Sequence, residues 1–371
     1  MNLNDIIVYF MLALMCLAVL DYAFGGKFGL GQKYVNAFTA MGTLAMYMVG
    51  TLCCAPVLGK FLEPAIAPFF KFLGADPSMF AGMFIGSDSG AYPLAVSLTQ
   101  NPAAADFSGL IVASMQGIAI TFLIPYLIAV SNKESRPLIA KGILAGISTI
   151  PFGCLVGGFY AGYGFIFMIK NLIPSILFSG FVASGLFFFQ SAAIKMFLAA
   201  GKIMTAFLAI TLMAACVQGA SGIVFIKGIV PAQEAFAIVG SIIVILVGAF
   251  VFVDILAKLL RVPLEKTGQK LKINGSSVKG LLSVLANTIA MAALINDMDD
   301  RGKVLNAAFA VSAGFALGDH LAFTAGVNRD MVAPVVIGKL TAGASALLLA
   351  ILVSRPKFNI PTKFSDGDLA G

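Results

Sequence analysis

PSMFAGMFIGSDSGAYPLAVSLT, residues 77–99, is the stretch whose reading decides the fold. Apolar residues fill both ends, and Gly86-Ser87-Asp88-Ser89-Gly90 interrupts the middle, with Pro93 close behind. Each apolar arm has roughly ten residues, which as helix would rise about 15 Å, half a bilayer core. Such a segment either crosses as a broken helix or enters, turns and leaves as a re-entrant hairpin. A second stretch, residues 278–296, reads VKGLLSVLANTIAMAALIN and breaks more softly at Asn287-Thr288.

The rest of the chain supplies the solvent for these two segments. Of 371 residues, 60% are hydrophobic and 11% charged, against roughly 45–50% and 25% in soluble domains. Nine further runs are long enough to cross: 6–23, 35–58, 107–130, 142–162, 172–190, 203–222, 234–255, 304–325 and 332–353. A crossing helix needs about 20 apolar residues. The first run has no basic n-region and no small-residue cleavage site, so it reads as a retained span. The expected fold is an all-α integral membrane protein, one transport domain over 1–354, with a polar tail at 355–371.

The net charge of +7 does not point to nucleic acid, because no basic face or stacking module accompanies it. The basic residues mark a membrane side instead. Loop 25–33 carries Lys27 and Lys33; loop 131–141 carries Lys133, Arg136 and Lys141. Loop 258–279 carries Lys258, Arg261, Lys266, Lys270, Lys272 and Lys279, and the tail carries Arg355, Lys357 and Lys363. If both interrupted segments are hairpins, all four stretches fall on the cytoplasmic side. If both cross, the first loop and the tail fall opposite the other two. The hairpin arrangement satisfies the positive-inside tendency better. It also makes two units of span, span, hairpin, span, span, at about 1–163 and 203–354, inverted about a linking span at 172–190. Many secondary transporters share this plan, with the site between the repeats near the midplane.

Charge in the middle of apolar sequence is the informative signal, since an acid at a bilayer centre costs about 2.5–3.5 kcal/mol on insertion scales. Asp88 sits in the first break, between Ser87 and Ser89, where two half-helix ends would present free backbone groups. Asp319 and His320, the chain's one histidine, follow Gly318 in the span at 304–325. Binding a cationic solute, relaying a proton and internal pairing all remain open for them. Gln116, Asn287 and Thr288 suit either a ligand hydroxyl or helix–helix bonding. Tyr92 lies one turn beyond Asp88 and can offer a ring face to a cation. Lys339 reads as snorkelling to the outer interface, or else as the partner of a buried acid.

The remaining features read more plainly. Asp297, Asp299, Asp300, Arg301 and Lys303 form a solvated loop with local ion pairs, a gate being the alternative. Asp254 and Lys258 have i, i+4 spacing and should pair. Gly142/Gly146, Gly153/Gly157 and Gly158/Gly162 permit close helix contact within one chain or in a homo-oligomer. Cys16, Cys53, Cys54, Cys154 and Cys216 read as small buried apolar residues. No phosphate loop, nucleophile elbow, metal-ligand spacing or cofactor signal is present, so a soluble enzyme is not expected.

Three stretches carry a resemblance: Leu285-Ala286-Asn287-Thr288-Ile289, Asp297-Met298-Asp299-Asp300-Arg301-Gly302-Lys303-Val304-Leu305-Asn306, and the Gly318-Asp319-His320 region from Ala313 to Gly326. Together with Gly86-Ser87-Asp88-Ser89-Gly90-Ala91-Tyr92 they resemble the EutH-type ethanolamine permeases of bacterial ethanolamine-utilisation operons. The resemblance runs along the whole chain in length and hydropathy. It implies ethanolamine uptake across the bacterial inner membrane. Protonated ethanolamine is a cation with a hydroxyl, which Asp88 and Asp319 on one hand, and Asn287, Thr288 or Gln116 on the other, would suit. The rival functions are a proton- or cation-coupled carrier of another small polar solute, and a non-transporting membrane receptor or scaffold.

Overall fold

The computed structural model describes residues 2–86 and 90–354. Asp88, Ser87, Ser89 and the tail at 355–371 therefore lie outside the described residues. All regular structure among the described residues is helical. Its order is α1 (Leu3–Ala23), α2 (Gly31–Phe72), α3 (Met79–Phe84), α4 (Ala91–Leu98) and α5 (Pro102–Asp106). The last runs on through π-helix (Phe107–Gly117 and Ala119–Leu123) into α6 (Ile124–Val130). Then come α7 (Arg136–Tyr160), α8 (Phe165–Phe188), α9 (Gln190–Ser221) and α10 (Ala232–Leu271). The chain closes with α11 (Gly275–Ala286), α12 (Thr288–Ala292), α13 (Asp300–Ala313), α14 (Asp319–Val327) and α15 (Val332–Val353).

Among the described residues, seven helical stretches are long and apolar enough to cross a membrane, so the chain is a multi-pass membrane protein. The run at 304–325, expected as one span, is two helices of 14 and 9 residues. The run at 203–222 lies in α9, whose described apolar part is the shorter Thr205–Ser221. Exposed Phe, Leu and Ile side chains cover the outer surface, as a lipid solvent requires and water would not.

Both interrupted segments return to the end at which they started. At the base of the first, the Thr99 hydroxyl donates to Asp76 Oδ2 at 2.7 Å. At the base of the second, Asn274 Nδ2 donates to the Asp297 carbonyl at 2.8 Å and Ser277 Oγ to Asp299 Oδ1 at 2.7 Å. These bases lie at opposite ends of the bundle. The second shares its end with the basic stretches at 25–33, 131–141 and 258–279. There Asp254 holds both Lys33 (2.7 Å) and Lys258 (2.9 Å), Arg301 Nη1 donates to the Leu271 carbonyl, and Asn296 bonds the backbone of Asn132 and Val130. The end of α15 packs there too, with Ala346 and Ala350 against Val304 and Ala145. At the opposite end, Asn4 bonds Asp330 and Ala333, and Asn171 accepts from the Asp76 amide.

The two segments also share a contact in the interior. A Cβ built on Gly117 would lie 1.9 Å from the Ile85 carbonyl oxygen, and one on Gly318 would lie 2.0 Å from that of Ala286. Each is a hairpin strut touching the bare backbone of the following span. The same 201-residue offset relates Ile85 to Ala286, Gly117 to Gly318, Asp76 to Ser277, and the first residue of α2 to that of α10. The pairings of α1 with α10 and of α2 with α9 follow the same correspondence.

The glycines of α7 are used inside the chain. Gly142 and Gly146 meet α13 at the Val304 and Ala308 carbonyls, while Gly153 and Gly157 meet α15 at Gly338 and Pro334. The cysteines are all free. Cys53, Cys54 and Cys154 are buried as expected, but Cys16 is exposed. It sits on a helix with one face turned outward, so an apolar run alone did not fix its burial.

Candidate functional site

Two irregular spans build the polar interior. The first follows hairpin α3–α4. From Phe107 to Gly117 it is π-helical and wholly buried; π turns are rare and gather at functional sites. Gly82 of α3 lets the hairpin approach, its amide donating to Ser108 Oγ at 3.1 Å, and Ser108 in turn donates to the Ser78 carbonyl at 2.6 Å. Within the wide turns, the Ser114 carbonyl accepts from the ammonium of Lys339, and Gln116 Oε1 accepts from the Ser175 hydroxyl of α8.

Lys339 thus departs from expectation. It does not snorkel: its side chain is 0% exposed. It lies two turns into α15, wholly buried where that helix packs against α7. An interior carbonyl holds it instead.

The second irregular span is cut between α13 and α14. Gly314 and Gly318 flank the cut, and Phe315 adopts φ 61°, a left-handed value that a bulky residue rarely takes. The turns of the cut bond to the hairpin: Phe315 N donates to the Val284 carbonyl at 2.9 Å and Leu317 N to that of Leu285 at 2.8 Å. Asn287 makes the hairpin break by leaving helical geometry and capping α12, its Oδ1 accepting from Ile289 N at 2.8 Å. Two helix breaks therefore cross and satisfy part of each other's backbone, which is how non-helical chain survives at depth.

The sequence-nominated residues divide accordingly. Thr288 is 0% exposed and opens α12, and its hydroxyl finds no partner among the described residues. It faces the bare Cα of Gly314, whose added Cβ would lie 2.7 Å from Thr288 Oγ1. His320 is wholly buried with its ring 5.6 Å from that of Phe315. Asp319 is partly exposed in the first turn of α14, where a helix start favours a negative charge. Asn287, Thr288, Asp319 and His320 thus belong to one crossing. Gln116 belongs to the other half, with Ser175; its Nε2 is also buried without a partner among the described residues. Tyr92 turns its hydroxyl to Asp106 and Asn328.

Sequence reasoning missed Asp106, Ser114, Ser175 and Asn328. Asp106 had a signal, an acid at the threshold of a long apolar run. Ser175 had none, being one hydroxyl among many on an apolar helix. A cavity of about 410 Å³ between α2, α3 and α8 is lined by Phe69, Phe70, Phe80, Phe84 and other apolar groups, and offers nothing to a polar solute. Among the described residues no cluster of His, Cys, Asp or Glu is arranged to hold a metal ion.

Comparison with known proteins places the chain in a family. The family described as "Ethanolamine utilisation protein, EutH" matches residues 3–353. A protein of Listeria monocytogenes named "Probable ethanolamine permease EutH" is 43% identical over 95% of both chains. Proteins with the same name from Salmonella typhimurium and Escherichia coli are each 37% identical over 95% of this chain and 96% of theirs. No solved structure matches. With the match running over nearly the whole chain, this protein belongs to the EutH family of ethanolamine utilisation proteins.

Proposed function

We propose that the chain carries ethanolamine across the bacterial inner membrane, by facilitated diffusion or secondary transport. The observation that carries this reading is the family match over residues 3–353, with relatives at 37–43% identity named as probable ethanolamine permeases. The interior supports a small polar solute independently. Each half contributes a buried polar atom without a protein partner among the described residues, Gln116 Nε2 and Thr288 Oγ1. Native interiors rarely leave such groups unmet, and a hydroxyl-bearing solute would meet them. Asp88 and Asp319 are the acids we assign to the ammonium.

We read the two units as an inverted repeat, supported by the 201-residue offset and by hairpin bases at opposite ends. Four spans and the linking α8 separate the start of α1 from that of α9, an odd number, so the second unit is reversed. The solute would pass between the units.

The test uses the purified full chain in liposomes. Labelled ethanolamine should enter, unlabelled ethanolamine should compete, and Asp88→Asn or Asp319→Asn should lower uptake at least tenfold. Liposomes that take up no ethanolamine would refute the transport reading. Uptake untouched by both substitutions would refute the site alone.

A further inference from the structure

At the end of the bundle away from the basic stretches, four elements converge on one carboxylate. Asp106 ends α5, where the π-helix begins, and is half-buried. Asn328, just past α14, donates from Nδ2 to Asp106 Oδ1 at 3.1 Å. The Tyr92 hydroxyl of α4 is in hydrogen-bonding reach of both side chains. Tyr163, in the turn between α7 and α8, lies close enough to feel the Asp106 charge. Its ring stands edge-on to Phe107, 6.0 Å between centroids, and its hydroxyl reaches Met331 Sδ at 3.6 Å.

Three properties of this cluster go beyond a satisfied structural acid. Its partners are neutral; among the described residues no lysine or arginine forms an ion pair with Asp106, and the charge it feels is that of a second acid, Asp330. A carboxylate has about four acceptor positions, more than a phenol and a carboxamide fill. Two tyrosines interact with it, Tyr92 and Tyr163, and aromatic side chains attract a cation as the acid does.

We propose that Asp106, Tyr92, Tyr163 and Asn328 form an outer capture site for the protonated amine, separate from the interior crossing. The ammonium binds the Asp106 carboxylate against the tyrosine rings, and the amide of Asn328 or the Tyr92 phenol takes the solute's hydroxyl. The site stands ten residues before Gln116 on the same span, no more than about 15 Å along the axis. A solute released inward from it meets Gln116 next, whose Nε2 has no partner among the described residues. Because Asn328 belongs to the second half and the other three residues to the first, an occupied site bridges the two halves. The proposal deepens the ethanolamine reading and rests on it.

The experiment measures two quantities on the full-length protein: equilibrium binding of labelled ethanolamine in detergent and its uptake into liposomes. Asp106→Asn should weaken binding at least tenfold and raise the concentration for half-maximal uptake by a similar factor, with the maximal rate kept within about twofold. Tyr92→Phe, which keeps the ring and its packing, should weaken binding about threefold. Asp106→Glu should restore part of the loss. Propanol, isosteric but neutral, should fail to compete, whereas ethylammonium should compete. Wild-type uptake with binding unchanged in both Asp106→Asn and Tyr92→Phe overturns this site and leaves transport standing. Binding that is lost in these variants, while wild-type protein moves no ethanolamine, sustains the site and removes transport. If Asp106→Asn does not fold, unchanged binding in Tyr92→Phe overturns the proposal.

Discussion

The spans that follow the two hairpins meet the same demand in different ways. In the first half the helix stays continuous and widens into π turns from Phe107 to Gly117. In the second half the helix is cut outright, and five residues from Gly314 to Gly318 run between α13 and α14. Both devices bring backbone polar groups to the side of a hairpin break. The π turns keep every residue within a helix and offer single carbonyls, such as that of Ser114 to Lys339. The cut frees backbone amides, two of which the hairpin takes up through the Val284 and Leu285 carbonyls. The first device leaves a wide helix whose side chains can be exchanged; the second commits its backbone to one partner. The half with the committed backbone holds Asp319 and His320, and the half with the wide helix holds Gln116.

The glycines offer the largest test of that comparison. Gly117→Ala and Gly318→Ala each place a Cβ about 2 Å from a carbonyl oxygen, and overpacking of this kind costs about 1–3 kcal/mol or more. Both variants should unfold at clearly lower temperature in detergent. Equal losses mean that the two halves use their struts alike. A tolerated Gly117→Ala beside a ruinous Gly318→Ala would show that the continuous span can yield where the cut one cannot.

A smaller effect is expected at Lys339. Lys339→Met removes the ammonium from the Ser114 carbonyl while filling much the same volume. Ethanolamine uptake should fall about tenfold, and Lys339→Arg should not rescue it, because a forked guanidinium does not fit a site made for a compact charge. Full activity in Lys339→Met would mean that the π turns stand without their cation.

The smallest effect concerns Thr288. Thr288→Val keeps the shape and deletes a buried hydroxyl without a partner among the described residues, so stability should rise, by about 1 kcal/mol. Uptake should at the same time need a severalfold higher ethanolamine concentration. A rise in stability with uptake unchanged would separate this hydroxyl from the solute and weaken the part given to the second half.

Much of this was legible in the sequence because lipid imposes strong rules on composition. Apolar runs gave most of the spans, and the basic loops chose hairpins over crossings; Asp254 with Lys33, Arg301 with Leu271, and Asn296 with Asn132 now place three of those stretches at one end. The interrupted segments and the Asn287 break were visible because polar residues in apolar runs are conspicuous. The cut at Gly314–Gly318 was not, since Gly-Phe-Ala-Leu-Gly is as apolar as any spanning helix. What accompanies it is the bonding of the Phe315 and Leu317 amides to the Val284 and Leu285 carbonyls of the hairpin, a fact of packing absent from local pattern. Lys339 was misread for a related reason: its position in the span was clear, but only the packing of α15 shows that the side chain is wholly buried. Asp106 was passed over because it stands one residue outside the run, and its bond to Asn328 depends on the return of the chain from the far half.

The seam between α7 and α15 has a mechanical consequence. A Cβ on Gly153 would collide with the Gly338 carbonyl, and one on Gly338 with that of Gly153. Main chain rests on main chain there, with no rotamers to reshuffle and no slack to take up. A joint of that kind behaves like a weld. Opening the pathway to one side of the membrane and then the other has to be accomplished by the parts that hang from it.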